Sequence, residues 1–365
     1  FNQKFNFRRP KACENKKNNL FMKKENTQYM GIDIGGAHIK CVGIDKSKNI
    51  SYIKYDSYQV WNDKKILFEK LDQINNEVSN SKLVYGITMS AELCDNFPNR
   101  KVGAKYIIEA CNSLKPKKLF YSNSSIFFSS KFTMNNLMSM NWHAIGKLCE
   151  KKIKDCIIID FGSTTTDFIC IKNFKLINQG FNDFERINNN ELIYKGLIRT
   201  PLFGIRDKIK LRKNKYNLIP EFFSDMSDVY RVKKLLKKNI DIDNTADASN
   251  KSLRNSMIRI ARNFGFDYTN SKKELLINIC DELYSCQLNE ISKNIDFLKK
   301  KYRICKKCKI VLSGIGQEIL MNYLNKKFND TIFLFDLLGS KHYREASNHA
   351  PALSMALLLF EKKLI

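Results

Sequence analysis

Two segments far apart in the chain share one plan: an apolar strand that ends in Asp and is followed by small residues. The first is Tyr29-Met30-Gly31-Ile32-Asp33-Ile34-Gly35-Gly36-Ala37-His38, and the second is Ile157-Ile158-Ile159-Asp160-Phe161-Gly162-Ser163-Thr164-Thr165-Thr166-Asp167. Each leads into a second apolar run, Ile39–Ile44 in one case and Phe168–Ile171 in the other. A buried strand here delivers a carboxylate to a tight turn. Glycine lets the main chain approach a phosphate closely, and the Asp can hold a hydrated divalent cation beside it. One such segment would be ordinary. The pair implies a duplicated domain with a phosphate site in the cleft between the halves.

At 365 residues the chain can form two domains, each with its own core. No uninterrupted apolar run of about 18 residues is present, which argues against a membrane span. Residues 1–28 are rich in Lys and Asn and lack a signal-peptide apolar stretch, so they read as a poorly ordered basic tail. The formal charge of +26 raises the question of nucleic acid. The Lys and Asn residues are scattered, however, and no helix-turn-helix, zinc-finger or RNA-binding pattern accompanies them. A solvated basic surface that helps attract small anions is the reading adopted, and nucleic acid is not expected as a partner. The 11 cysteines fall mostly within apolar runs, as in Cys41, Cys111, Cys156 and Cys170, which fits a reducing cytosol. Cys305-Lys-Lys-Cys308 has no second ligand pair nearby and reads as two reduced thiols.

Strands are expected at Tyr29–Ile34, Ile39–Ile44, Ser51–Ser57, Lys82–Thr88 and Lys117–Tyr121. Helices are expected at Lys64–Val78, Lys101–Ser113 and Asn136–Lys152. Three strands followed by alternating helices and strands is the order of a ribonuclease-H-like module. The second half opens alike with Asp155–Asp160, Thr166–Ile171 and Phe174–Gln179, and continues into a helix-rich insertion at about 189–300. It then returns to a strand (Lys309–Ser313), the turn Gly314-Ile315-Gly316, a helix (Gln317–Lys326) and a strand (Thr331–Phe335). The apolar last helix, Ala350–Lys363, is expected to pack on one domain. The fold class is therefore α/β, with ribonuclease-H-like domains at 29–150 and 151–365. This is the plan of the actin, hexokinase and Hsp70 superfamily, in which the first two turns hold phosphates and metal and the third closes over a nucleoside.

Further stretches narrow the field. Thr88-Met89-Ser90-Ala91-Glu92-Leu93-Cys94-Asp95, Asn141-Trp142-His143-Ala144, Asp160–Asp167, Glu191–Pro201, Glu221–Tyr230 and Thr245-Ala246-Asp247 are at issue. Together they resemble the hydantoinase-A-related family of the tetrahydromethanopterin-linked one-carbon pathway, which includes an archaeal synthase of methanofuran biosynthesis. The resemblance runs from about Met30 to Leu359. The opening turn and the Trp61 region are closer to the version in methylotrophic bacteria. Ala248 stands where the family usually has Gly, and Asn99 where an acidic residue is common.

What the resemblance implies is a condensation: an aminomethyl-furan-methyl diphosphate joined to the phenol oxygen of a glutamyl-tyramine or tyrosine-derived partner, with release of pyrophosphate. Such chemistry needs backbone donors and a metal at the diphosphate and a base for the phenol. Asp33 and Asp160 are the candidates for Mg2+. Gly35, Gly36, Gly162, Ser163, Thr164 and Thr165 are the candidate phosphate contacts, joined by Gly314 and Gly316 of the third turn. Hydroxyls such as Ser163 also cap ordinary turns. Arg199 could grip phosphate or fix the Thr200-Pro201 bend by an ion pair. Glu92, at a strand-to-loop transition, could be the base, bind an amine, or cap a helix. Asp95 and Asp167 are candidates for metal support or amine contact, and Asn141 for substrate contact. Trp142 could stack on an aromatic substrate or fill the core. His38 reads as packing or a turn hydrogen bond, His143 as a helix-surface or substrate residue, and no Ser-His-Asp arrangement is expected. The expected partners are a small diphosphate and a phenolic amine, and a homodimer is left open. The alternative is an ATP-dependent small-molecule kinase or a hydantoinase-like ATP-coupled enzyme of the same fold.

Overall fold

The computed structural model describes residues 24–60, 63, 65–78, 80–123 and 133–362. Most of the expected tail, the Trp61 region, Lys64 and Lys363 lie outside the described residues. The strands are β1 (Tyr29–Ile34), β2 (His38–Ile44), β3 (Ile50–Ser57), β4 (Val84–Met89), β5 (Lys117–Phe120), β6 (Cys156–Phe161) and β7 (Thr166–Lys172). They continue with β8 (Lys175–Leu176), β9 (Leu192–Ile193), β10 (Lys208–Leu211), β11 (Asn214–Asn217), β12 (Lys309–Ser313) and β13 (Thr331–Phe333).

The first sheet has the order β3-β2-β1-β4-β5, with β1 to β3 antiparallel and β4 and β5 parallel to β1. The second runs β8-β7-β6-β12-β13 with the same directions, and β9 adds to β7 near its start. Each is the ribonuclease-H-like order, so the chain is a duplicated α/β protein of the actin and hexokinase type. The central strands β1 and β6 are buried at every position, which is why they read as unbroken apolar runs rather than alternating ones.

The Ala350–Glu361 helix is buried almost all round. It lies on β1 so closely that a Cβ at Gly31 would come within 1.8 Å of the Ala352 carbonyl oxygen. Its Leu353 and Leu357 share one core with Ile158, Ile169 and Val311 of the second sheet. The two sheets are thereby tied through one helix. No described helix is long and apolar enough to cross a membrane.

Several elements differ from the sequence reading for local reasons. The expected Asn136–Lys152 helix begins only at Asn141, because Ser139 takes a left-handed φ of 55° just before it. The expected strand at Phe174–Gln179 shrinks to Lys175–Leu176. Asn173 and Phe174 form a positive-φ turn, and the Asn178 side chain takes over the ladder by accepting from Cys170 N and donating to Phe168 O. The insertion is not purely helical, since the β10–β11 hairpin precedes the Met226–Val232, Leu253–Arg262 and Lys273–Lys301 helices. The expected strand through Phe335 stops at Phe333, and a short helix, Leu334–Leu337, follows. Ala248 occupies a left-handed φ of 54°, a conformation glycine adopts without cost. Asn99 caps the Arg100–Ala110 helix by accepting from Val102 N, a task that Asp performs equally well.

Candidate functional site

The two Asp-Gly turns open on one cavity of about 710 Å³. Its walls include Gly35, Gly36, Asp160, Gly162, Ser163, Thr164 and Thr165. The amides of Gly36, Ser163, Thr164 and Thr165 have no protein acceptor among the described residues. Donors of this kind, converging from two turns, form a concavity suited to a polyanion.

The second turn is braced from behind. Leu197 N donates to Gly162 O at 2.9 Å, and Ile198 N and Arg199 N both donate to Ser163 O at 3.0 Å. Gly196 makes this possible, because a Cβ there would lie 2.4 Å from the Ser163 carbonyl carbon. The Thr200 hydroxyl locks the bend by accepting from Gly196 N and donating to Gly196 O. Arg199 and Pro201 line the cavity beside it.

The sheet registers fix what faces each carboxylate. Across the β1–β2 ladder Asp33 pairs with Lys40, whereas across β6–β7 Asp160 pairs with Asp167. Lys40 Nζ lies 3.0 Å from Asp33 Oδ2. Burial disfavours its charge, yet Asp33, Asp160 and Asp167 hold its pKa above the ordinary lysine value. Asp160 accepts from Ser313 Oγ at 2.9 Å. Burial first and Asp167 second push its carboxyl up to about 7, against the opposing pull of Lys40 and Ser313. Asp167 is in turn bound by the buried guanidinium of Arg186, which lies over the Trp142 ring at 4.2 Å.

A second feature crosses the cleft. His38 Nε2 lies 2.8 Å from Asp243 Oδ1, and His38 Nδ1 lies 3.1 Å from Ser163 Oγ. Burial opposes the charge on Asp243, but hydrogen bonds from His38 and Ser57 keep it below the usual carboxylate range. An ionised Asp243 requires the proton on Nε2, so Nδ1 accepts from the Ser163 hydroxyl. Burial lowers the His38 pKa despite Asp243, which fits the neutral ring that this chain needs. Ser163 can therefore offer an anion its amide but not its hydroxyl proton.

The residues fit a magnesium ion of the open kind. Among the described residues no three His, Cys, Asp or Glu side chains form a closed metal cage. Mg2+ needs only one or two carboxylates when phosphate and water fill its other positions. Asp160 lines the cavity beside Asp167, whose charge is paired with Arg186, and is the carboxylate there that could reach a cation. Asp33 Oδ1 is buried without a hydrogen-bond partner, although Lys40 takes the other oxygen.

Comparison with known proteins follows the same direction. No family model matches the sequence. A synthase of Methanocaldococcus jannaschii, named (4-{4-[2-(gamma-L-glutamylamino)ethyl]phenoxymethyl}furan-2-yl)methanamine synthase, is 30% identical over 338 residues, covering 90% of this chain and 97% of that protein. The synthase of the same name from Methanococcus vannielii is 32% identical over 209 residues, which is 56% of this chain and 91% of that protein. The chain belongs to this methanofuran-biosynthesis synthase family. Among solved structures, the ethanolamine utilization protein EutJ of Carboxydothermus hydrogenoformans covers 90% of the chain at 10% identity and a TM-score of 0.45. A ROK family glucokinase of Streptomyces griseus also covers 90%, at 12% identity and a TM-score of 0.45.

Within this synthase fold the candidate residues separate. Gly35, Gly36, Asp95, Asn141, Asp160, Gly162, Ser163, Thr164, Thr165, Asp167 and Arg199 all line the cavity. Asp33 does not; it is fully buried behind Lys40, the residue that does reach the wall. Glu92 is fully buried too, held by Arg100 at 2.9 Å and by the Ser139 hydroxyl at 2.9 Å, and Ser139 rather than Glu92 lines the cavity. Trp142 is core, serving as the floor for Arg186. The Gly314–Gly316 turn also lies outside the lining, with a Cβ at Gly316 meeting the Phe161 ring at 2.1 Å. His143 is buried against Tyr121, whose hydroxyl lies 2.7 Å from Nδ1. Contrary to the sequence reading, a Ser-His-Asp arrangement is present, in which His38 links Ser163, an expected phosphate contact, to Asp243. Lys40, Arg186, Tyr194 and Asp225 are further lining residues that the sequence reading does not name. Lys40 alone left a trace, since it sits seven residues after Asp33 on the returning strand of the hairpin.

Proposed function

We propose that the protein joins an aminomethyl-furan-methyl diphosphate to the phenol oxygen of a tyramine-type amine and releases pyrophosphate. The observation that carries this reading is the 30% identity to the methanamine synthase across nearly its whole length. The cavity supports it by setting two turns of open amides around one space.

In this reading the amides of Gly36, Ser163, Thr164 and Thr165 take the diphosphate oxygens, where they stabilise the charge that builds as the furfuryl carbon–oxygen bond breaks. Lys40 and Arg199 add positive charge at the same wall. Asp160, with Asp167 beside it, would hold Mg2+, which when bound would neutralise the leaving diphosphate. Leu93, Tyr194 and Phe222 supply apolar lining for the aromatic rings.

The ATP-coupled reading is the weaker one. A nucleoside bound in the cavity would need the Gly314–Gly316 turn beside it, and that turn does not line the cavity. The test is to mix purified protein with the furan diphosphate and glutamyl-tyramine, tyramine or tyrosine. Ether formation with stoichiometric pyrophosphate is expected, dependent on magnesium and lost in Asp160→Ala. ATP hydrolysis or phosphoryl transfer without ether would overturn the proposal.

A further inference from the structure

The phenol needs a base, and Glu92 sits behind Ser139 in an ion pair with Arg100. A different carboxylate is placed for the task. Asp225 begins the Met226–Val232 helix and lines the cavity next to the exposed ring of Phe222. Its segment joins the phosphate wall through backbone bonds: Met226 N donates to Thr200 O at 2.9 Å, and Ser227 N to Ile198 O at 3.2 Å. Ile198 itself is bonded to Ser163 of the second turn, so Asp225 stands one chain segment away from the diphosphate cradle.

The two oxygens of Asp225 are unequal. Oδ1 accepts from Ser227 N at 2.9 Å and from Ser227 Oγ at 2.5 Å. Oδ2 accepts nothing among the described residues, and it is absent from the sealed polar atoms of the interior, so it reaches the open space of the cavity. Ser227 thus fixes the carboxyl and aims its free oxygen. Arg231 on the same helix and Arg259 on the Leu253–Arg262 helix make their ion pairs with Asp228, Asp241 and Asp247.

We propose that Asp225 is the catalytic base that takes the phenol proton. The inference rests on the condensing reaction proposed above. Asp225 Oδ2 accepts the proton of the phenol O–H, and the oxygen's electron pair forms the new bond to the furfuryl methylene. The methylene's bond to the diphosphate breaks with its electrons on the leaving oxygen, and Asp225 later returns the proton to water. Burial and Asp228 push the Asp225 carboxyl up to about 7, against the Ser227 hydrogen bonds and the Arg231 charge, which is the range in which a carboxylate serves as a base near neutral pH.

The test compares tyramine with a difluorinated tyramine whose phenol is already ionised at the assay pH. Asp225→Asn, which keeps a good helix cap, is expected to lose about 100-fold or more in ether formation from tyramine and only a few-fold from the fluorinated phenol. Asp225→Ser gives the same pattern with a different cap. On the wild-type chain, tyramine gives a normal solvent deuterium isotope effect that vanishes with the fluorinated phenol. Equal losses with both phenols, a wild-type rate in either variant, or no isotope effect would overturn the role. A wild-type chain that makes no ether from either phenol would instead defeat the condensing reaction itself.

Discussion

The halves of the molecule place one carboxylate at the same point and give it opposite neighbours. Asp33 and Asp160 end the central strands of sheets with the same order, and each is flanked on the parallel side by a hydroxyl residue, Thr88 or Ser313. Across the hairpin, however, Asp33 meets Lys40 and Asp160 meets Asp167. The first turn is neutralised by its own strand and withdraws its carboxylate from the cavity. The second sets two opposed carboxylates at the wall, one paired with the buried Arg186 and the other, Asp160, pushed up in pKa by its neighbour. Duplication supplied two similar turns, and one residue on each returning strand goes with a withdrawn carboxylate in the first and a carboxylate on the cavity wall in the second.

The largest test of that contrast is stability. Lys40→Met leaves Asp33 as a buried unpaired charge and is expected to cost about 3–5 kcal/mol in urea unfolding. Asp167→Asn also leaves a buried charge, that of Arg186, without its counter-ion, but it keeps an acceptor and removes a repulsion with Asp160, so its cost is expected to be the smaller of the two. Equal losses would break the comparison.

Next in size is a pH effect seated outside both turns. Burial holds His143 down to about 4, with Lys147 and Arg186 adding to the shift. The imidazole pKa is lower in the folded chain than in the unfolded one. At this residue the unfolded chain therefore binds more protons between about pH 6.5 and 4, and the stability that the neutral imidazole contributes is lost as the pH drops through that window, opposite in sign to the contributions of Asp160 and Asp225. The full loss is about 3 kcal/mol, and His143→Gln is expected to flatten that part of the profile, read from denaturant midpoints at each pH. His349, which burial holds down to about 3, continues the fall at lower pH.

Glu92→Gln sharpens the distinction between carboxylates that support and those that react. Weakening its hydrogen bonds to Arg100 and Ser139 is expected to cost about 2 kcal/mol of stability. The kcat for ether formation should remain within a few-fold of wild type. A collapse of kcat without loss of stability would return Glu92 to the chemistry. The smallest effect is at Ala248. Relief of its left-handed backbone in Ala248→Gly is expected to raise stability by about 1 kcal/mol, measured by the thermal midpoint.

The alternating strand and helix order, the duplicated Asp-Gly turns and most strand positions were legible in the sequence. Those features are local: fully buried strands read as apolar runs, and a turn against an anion demands small residues in sequence. The cavity-lining residues of the second turn were legible for the same reason. Lys40, Arg186, Asp225 and the His38–Asp243 contact were not, because register and the packing of a long insertion bring them in from 7 to 205 residues away. Glu92 misled for the converse reason. A carboxylate after a strand can face either a cleft or the layer behind it, and only the position of Arg100 on the following helix decides which. The amino-acid order thus determined the two cradles, while tertiary structure decided their charge, because electrostatic neighbours are set by distance in space and not by distance along the chain.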